Sequence, residues 1–150
     1  MKNLFEASRV EEIKDRVSKL KPDSQHLWGK MNTAQMLAHC SKSLRMALGE
    51  TRPPLMFLGR IIGFLIKPFV FKNDDPMRQG SPTIKGLEVC NERDFETERT
   101  ALYQLIDRFA NAAPREITIY PHSFFGKLTP QEWAILMYKH LDHHLRQFGV

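Results

Sequence analysis

Apolar residues return every three or four positions along four stretches of this chain, the period of a helix with one buried face. Ser8-Arg9-Val10-Glu11 reads as a capping box that opens the first stretch, which runs to Leu20 and ends at Lys21-Pro22-Asp23. Asn32, with Gln35 three residues on, opens the second, which runs to Leu48 before Gly49. The third, from about Asp94 to Ala112, carries Phe95, Leu102, Leu105, Ile106 and Phe109 at helical spacing and stops before Pro114. Thr129-Pro130-Gln131-Glu132 opens the fourth with an N-cap, a proline at the first helical position and a capping box. That helix continues to about Phe148.

A long link from Gly49 to Glu92 separates the second helix from the third and holds the greasiest stretch, Pro53 to Phe71, then a turn-rich one, Lys72 to Thr83. A membrane span needs about 20 mostly apolar residues. Here Arg60 and Lys67 interrupt, Pro68 breaks the run, and the uncharged piece between the two charges is only Ile61 to Ile66. No stable membrane insertion is expected. The pattern predicts an extra short apolar helix buried as a cap on the core. A membrane-surface element is the other reading, because Arg60 and Lys67 share a face, but that polar face is thin. Four amphipathic helices with long crossover connections predict an all-α chain, a four-helix bundle forming a single domain over residues 1–150.

At 150 residues, with 42% apolar and 26% charged, the chain is the size and composition of one soluble globular domain. A disordered tail, a collagen-like chain and a disulfide-stapled mini-protein are excluded. The formal charge is +5, spread along the chain without a run of like charges. No nucleic-acid partner is expected, since such binders concentrate Lys and Arg on one face. Cys40 and Cys90 cannot make a disulfide framework and are expected to be reduced thiols. The N-terminus turns charged at once, so no signal peptide is expected and the chain reads as cytoplasmic. The greasy helix leaves a homodimer open.

The last helix carries the candidate chemistry. It holds His140, His143 and His144. On a helical wheel His144 falls about 40° from His140, within the apolar stripe of Trp133, Leu136, Met137, Leu141 and Phe148. Glu132, Lys139, Asp142 and Arg146 lie opposite, and His143 sits on the border. His140 and His144 therefore point inward one turn apart and can converge on one point. Each buried imidazole keeps a donor and an acceptor that need partners. The H-x-x-x-H spacing also presents two imidazoles to one metal ion, so a metal site, a hydrogen-bonded core pair and a chance cluster all remain open. The metallopeptidase motif H-E-x-x-H is excluded, because Leu141 stands where its glutamate would be. His39, at the edge of the apolar face of the second helix, is the candidate third ligand. Cys40 lies nearer the core and reads as a small buried hydrophobe. His26 and His122 fall in loops and read as solvated.

The pairing of Ala34-Gln35-Met36-Leu37-Ala38-His39 with His140-x-x-x-His144 resembles the DinB-like (YfiT-like) superfamily of metalloenzymes. The stretch from His122-Ser123-Phe124-Phe125-Gly126 through Tyr138-Lys139-His140-Leu141-Asp142-His143-His144 to Gly149 resembles a bacterial branch of it. The resemblance implies a four-helix bundle with a three-histidine divalent-metal site, carried here by His39, His140 and His144. Some members are thiol S-transferases using bacillithiol, mycothiol or glutathione, one is a thiol-dependent isomerase, and many have no assigned activity. Where many members follow the last ligand with Arg-Gly-Gln, this chain has Leu145-Arg146-Gln147, which puts substrate contacts in doubt.

The resulting expectation is one divalent ion (zinc, nickel or iron) on three neutral imidazoles, with room left for a small-molecule substrate. Three protein ligands with an open position are the layout of a catalytic site. A low-molecular-weight thiol activated on the metal, for transfer to an electrophile, is the leading chemistry. A metal-dependent hydrolase and a metal-free bundle that binds a small ligand or a protein are the alternatives.

Overall fold

The computed structural model describes every residue except Pro82, and for Phe57, Leu58 and Arg60 it describes the backbone alone. The expected sharing of a face by Arg60 and Lys67 can therefore be followed at Lys67 only, and Pro82 of the expected turn-rich stretch lies outside the described residues.

Among the described residues the chain is all-helical, with five α-helices and no strand. They are α1 (Ala7–Ser18), α2 (Thr33–Ala47), α3 (Phe57–Val70), α4 (Phe95–Ala110) and α5 (Pro130–Gln147). Three of the four amphipathic helices start where their caps indicate. Asn32 accepts from the Gln35 N–H while Gln35 reaches back to the Asn32 N–H, closing the predicted capping box of α2. Thr129 and Glu132 do the same for α5, with Pro130 at the first helical position. Asp94 caps α4 by accepting from Thr97.

The start of α1 differs from expectation. The Ser8 box is not used, because the helix begins two residues earlier, at Ala7, with Glu6 at the N-cap making no side-chain cap. Asn3 organises the approach instead, accepting from the Phe5 N–H and donating to the Glu6 carboxylate. Ser8 then falls inside the first turn, where its hydroxyl has no cap to make.

Helices α1, α4, α2 and α5 pack in a ring, each touching two neighbours. The core between them holds Ile13 and Val17 of α1, Leu37 and Leu44 of α2, Leu102, Ile106 and Phe109 of α4, and Trp133, Leu141 and Leu145 of α5. The long link after α2 carries α3 outside this ring and then crosses α5, where Lys139 Nζ donates to the Asp75 carbonyl. Because α1, α2 and this crossing segment surround it, α5 is buried on nearly every side.

That enclosure corrects the expectation that Lys139 and Asp142 lie on a solvated face. Asp142 is 8% exposed and accepts from Arg16 Nη1 and from Arg146 Nε, each at 2.7 Å. It still faces away from the histidines, toward α1. The apolar helix corrects a second expectation. Ile61, Ile62, Phe64, Leu65 and Phe69 are exposed, so α3 does not cap the core.

Candidate metal centre

α2 and α5 pack so that His39 meets the His140–His144 pair. The His39 ring centroid lies 4.9 Å from that of His140 and 4.7 Å from that of His144, and the pair on α5 are 4.7 Å apart. One ligand nitrogen from each ring lies within 4.8 Å of the other two. Some point therefore lies within 4.8/√3, about 2.8 Å, of all three. Zn–N bonds are about 2.0–2.1 Å, so small side-chain rotations bring the three nitrogens to bonding distance. The three imidazoles are thus placed within range to hold one metal ion. His39, which the helical wheel put at an edge, is in fact 3% exposed, because α5 covers that edge. His144 is buried and His140 half-buried.

Partners on the far side of two rings fix their tautomers. His39 Nδ1 lies 2.9 Å from the Leu87 carbonyl oxygen, which can only accept, so Nδ1 carries the hydrogen and Nε2 is left with its lone pair. His144 Nδ1 lies 2.9 Å from Gln147 Oε1. The orientation of that amide is fixed in turn, since Gln147 Nε2 donates to the Trp28 carbonyl at 2.6 Å. His144 therefore also presents the lone pair of Nε2. The Nε2 atoms of His39 and His140 approach to 3.0 Å. Two arrangements satisfy that approach: His140 donates Nε2–H to His39, or both lone pairs face one cation.

Burial keeps the cluster neutral. Loss of hydration pushes His144 down to about 3, with the neighbouring His39 adding to the effect. His140 falls well below its ordinary value for the same reason, reinforced by His144 and His39. His39 is lowered by burial, opposed by its bond to Leu87. Neutral imidazole is the form that binds a metal, so the donor set fits a divalent ion of borderline softness.

The sequence reading named Gln147 only as part of Leu145-Arg146-Gln147 and missed its bond to His144, which its place three residues on along α5 could have suggested. The contact that holds it, the Trp28 carbonyl, is a tertiary one. Gly29 makes that approach possible: its φ is +89°, and a Cβ there would collide with the Gln147 amide. Outer partners of metal-bound histidines typically contribute 10–100-fold in affinity. Gln147→Leu is expected to weaken zinc binding by about that factor in competition titration while leaving the helical circular dichroism unchanged.

His143 is not part of the triple. Its ring is 5.1 Å from that of His144 and 5.8 Å from that of Trp28, at the side of a cavity of about 310 Å³ lined by Trp28, Pro76, Met77, Gln79, His143 and Arg146. Burial lowers it, partly offset by a hydrogen bond with the Met77 backbone. Cys40 is buried beside Met36, and burial pushes its thiol up, so it is an inert core residue as expected. Cys90 is exposed, and both are free thiols.

His122 is not a solvated loop residue. It is 5% exposed, its ring lies 5.4 Å from Trp133 and 5.0 Å from Phe125, and its Nδ1 accepts from the N–H groups of Phe124 and Phe125 at 3.1 Å each. It holds together the tight loop that leads toward α5, outside the metal cluster. Burial pushes its pKa from an ordinary 6.5 down to about 4. The folded state thus binds fewer protons than the unfolded chain between these values, and the contribution present above pH 6.5 is lost as pH falls toward 4. The full loss is at most about 3 kcal/mol. In urea unfolding at pH 7 and pH 4.5, His122→Asn is expected to lose less stability on acidification than the wild type, by about 2 kcal/mol.

The chain is a member of the family described as "Protein of unknown function (DUF1569)", whose model matches residues 4–149. No curated protein and no solved structure matches it.

Proposed function

We propose that this protein is a cytoplasmic divalent-metal-dependent enzyme of DinB-like four-helix-bundle type, with His39, His140 and His144 as the metal ligands and a small thiol as cosubstrate. The observation that carries the reading is the convergence of three neutral imidazoles whose outer nitrogens, at His39 and His144, are tied to Leu87 and Gln147. Any buried imidazole needs a partner for its outer nitrogen, but a ligand set also needs three inner nitrogens within reach of one point, as here. When bound, zinc, nickel or iron would supply a Lewis acid that favours the thiolate over the thiol.

The chain's own residues do the rest. The cavity beside His143 offers a small substrate a wall of Trp28 and Met77. In the proposed transfer the thiol proton passes to solvent, a sulfur–carbon bond forms to the electrophile, and the carbon–leaving-group bond breaks with its electron pair going to the leaving group. Asp142 is engaged by Arg16 and Arg146 on the far side of α5 and cannot serve as a base for water at the cluster. That favours thiol transfer over hydrolysis.

A second reading rests on the 3.0 Å approach of His39 and His140, which satisfies both rings as a hydrogen bond in a metal-free binding protein. Elemental analysis of protein expressed without a histidine tag and purified without a metal column separates the two. About one equivalent of zinc, nickel or iron per chain is expected. The loaded protein should then conjugate bacillithiol, mycothiol or glutathione to a chlorinated dinitrobenzene above background. Metal-dependent ester or amide hydrolysis without conjugation would replace transferase with hydrolase, and absence of bound metal would favour the binding protein. Helical circular dichroism should survive chelation, because the core does not include the cluster's metal.

A further inference from the structure

Helix α3 is amphipathic in the inverse sense to its neighbours. Its glycine side faces the protein: a Cβ on Gly63 would run into the Phe124 carbonyl, and one on Gly59 would come 2.9 Å from a carbon of the Phe124 ring. Further ties hold it to the loop before α5. Met56 N–H donates to the Ser123 carbonyl, Lys67 Nζ donates to the Lys127 carbonyl, and Phe71 packs edge-on against Phe125. The opposite side is apolar and bare. Phe64 is 75% exposed and Phe69 71%, with Ile61, Ile62, Leu65 and Ile66 also exposed. Scaled by about 200 Å² per large apolar side chain, these six leave on the order of 700 Å² uncovered. The largest apolar patch on a typical monomer is about 300–600 Å².

The segment that carries this patch is basic, although Lys67 is paired with Glu132 at 2.8 Å and Asp74 and Asp75 follow Lys72. From Thr51 to Lys72 the sequence holds Arg52, Arg60, Lys67 and Lys72 and no carboxylate. Arg52, exposed ahead of the helix, lies 3.3 Å over the Tyr120 ring, and Lys72 is exposed just past its other end. A second copy meeting this patch across a two-fold axis would set the basic segment from Arg52 to Lys72 against itself. An anionic lipid surface supplies the missing counter-charge and takes up the apolar side chains. The helix is about 21 Å long, shorter than the roughly 30 Å hydrocarbon core, so it can lie in the interface but not cross it. An isolated interfacial helix needs a broad polar face toward water. Here the body of the protein, seated on Gly59 and Gly63, takes the place of that face.

We propose that α3 is a membrane-docking element that lays Phe64, Phe69 and their neighbours into the interface of an anionic bilayer, with Arg52 and Lys72 on the headgroups. The test is co-sedimentation of the full chain with phosphatidylcholine vesicles and with vesicles containing about one third phosphatidylglycerol, alongside light scattering for oligomeric state. The expected result is binding to the anionic vesicles, weaker to the neutral ones, at about fivefold per engaged charge. Phe64→Ser/Phe69→Ser and Arg52→Glu/Lys72→Glu should each reduce anionic binding at least tenfold. Lys19→Glu on α1 should change it less than twofold. Because Phe64 and Phe69 are exposed, their replacement should leave the circular dichroism intact. Absence of binding to either vesicle overturns the proposal. So does equal loss in Lys19→Glu, which would make the attraction one of net charge alone. A dimer abolished by Phe64→Ser/Phe69→Ser in a protein that ignores vesicles would assign the patch to a second copy instead.

Discussion

His144→Ala should bind zinc more than about 100-fold more weakly than the wild type, since removing a ligand costs more than removing the outer partner that orients it. The same loss is expected for His39→Ala and His140→Ala. The three variants should fail alike, because two remaining imidazoles hold a divalent ion with only half of a tetrahedral shell. His143→Ala is the decisive control. Its ring touches that of His144 and shares the same five-residue stretch of α5, yet it lies outside the triple that the fold brings together. Its metal content should stay near that of the wild type. Loss in His143→Ala with retention in His144→Ala would show that the ion is not held by this triple. Helical circular dichroism serves as the check on folding, since His39 and His144 are buried between the helices.

How far the sequence reaches is clearest at α5. Its cap, its length and its inward histidine pair follow from local pattern, because Thr129, Pro130 and Glu132 satisfy the first turn whatever packs around it. The third histidine was legible only as a candidate: the edge position of His39 on the α2 wheel becomes an interior one once α5 packs there. A wheel assumes one buried face, and α5 has neighbours almost all round, which is why Asp142 and Lys139 were misread as solvated. His122 was misread for a related reason. The loop folds back so that its imidazole caps two backbone N–H groups, a contact that no local pattern announces. The greasy segment failed in the opposite direction. Hydrophobicity implies burial only when the rest of the chain has surface to offer, and the ring of four helices closes without α3.

The misread aspartate gives the second large effect. Asp142 sits between two arginines of unequal exposure. Arg16 is largely enclosed, its side chain 15% exposed, whereas Arg146 is 52% exposed. Removing the carboxylate leaves Arg146 free to turn into water, so its loss is small. Arg16 has no such freedom. Its Nη2 still donates to the Val150 carbonyl at 2.9 Å, but Nη1 loses its 2.7 Å partner, and Glu12 at 3.8 Å is too far for a hydrogen bond. Breaking a buried pair from one side typically costs 3–5 kcal/mol, since one charge is left desolvated and alone. Asp142→Ala is therefore expected to lose about 3 kcal/mol, a fall in Tm of about 10 °C for a chain of this size. Asp142→Asn, which keeps an acceptor, should lose less. The double variant Arg16→Met/Asp142→Leu should recover most of the loss, because an apolar pair of similar volume can replace a buried ion pair. Thermal melts followed by circular dichroism give all three values. A loss below about 1 kcal/mol in Asp142→Ala would mean that water reaches Arg16 and that the pair behaves as an exposed one. Metal content should not change in any of them, since Asp142 faces α1 and the cluster faces α2.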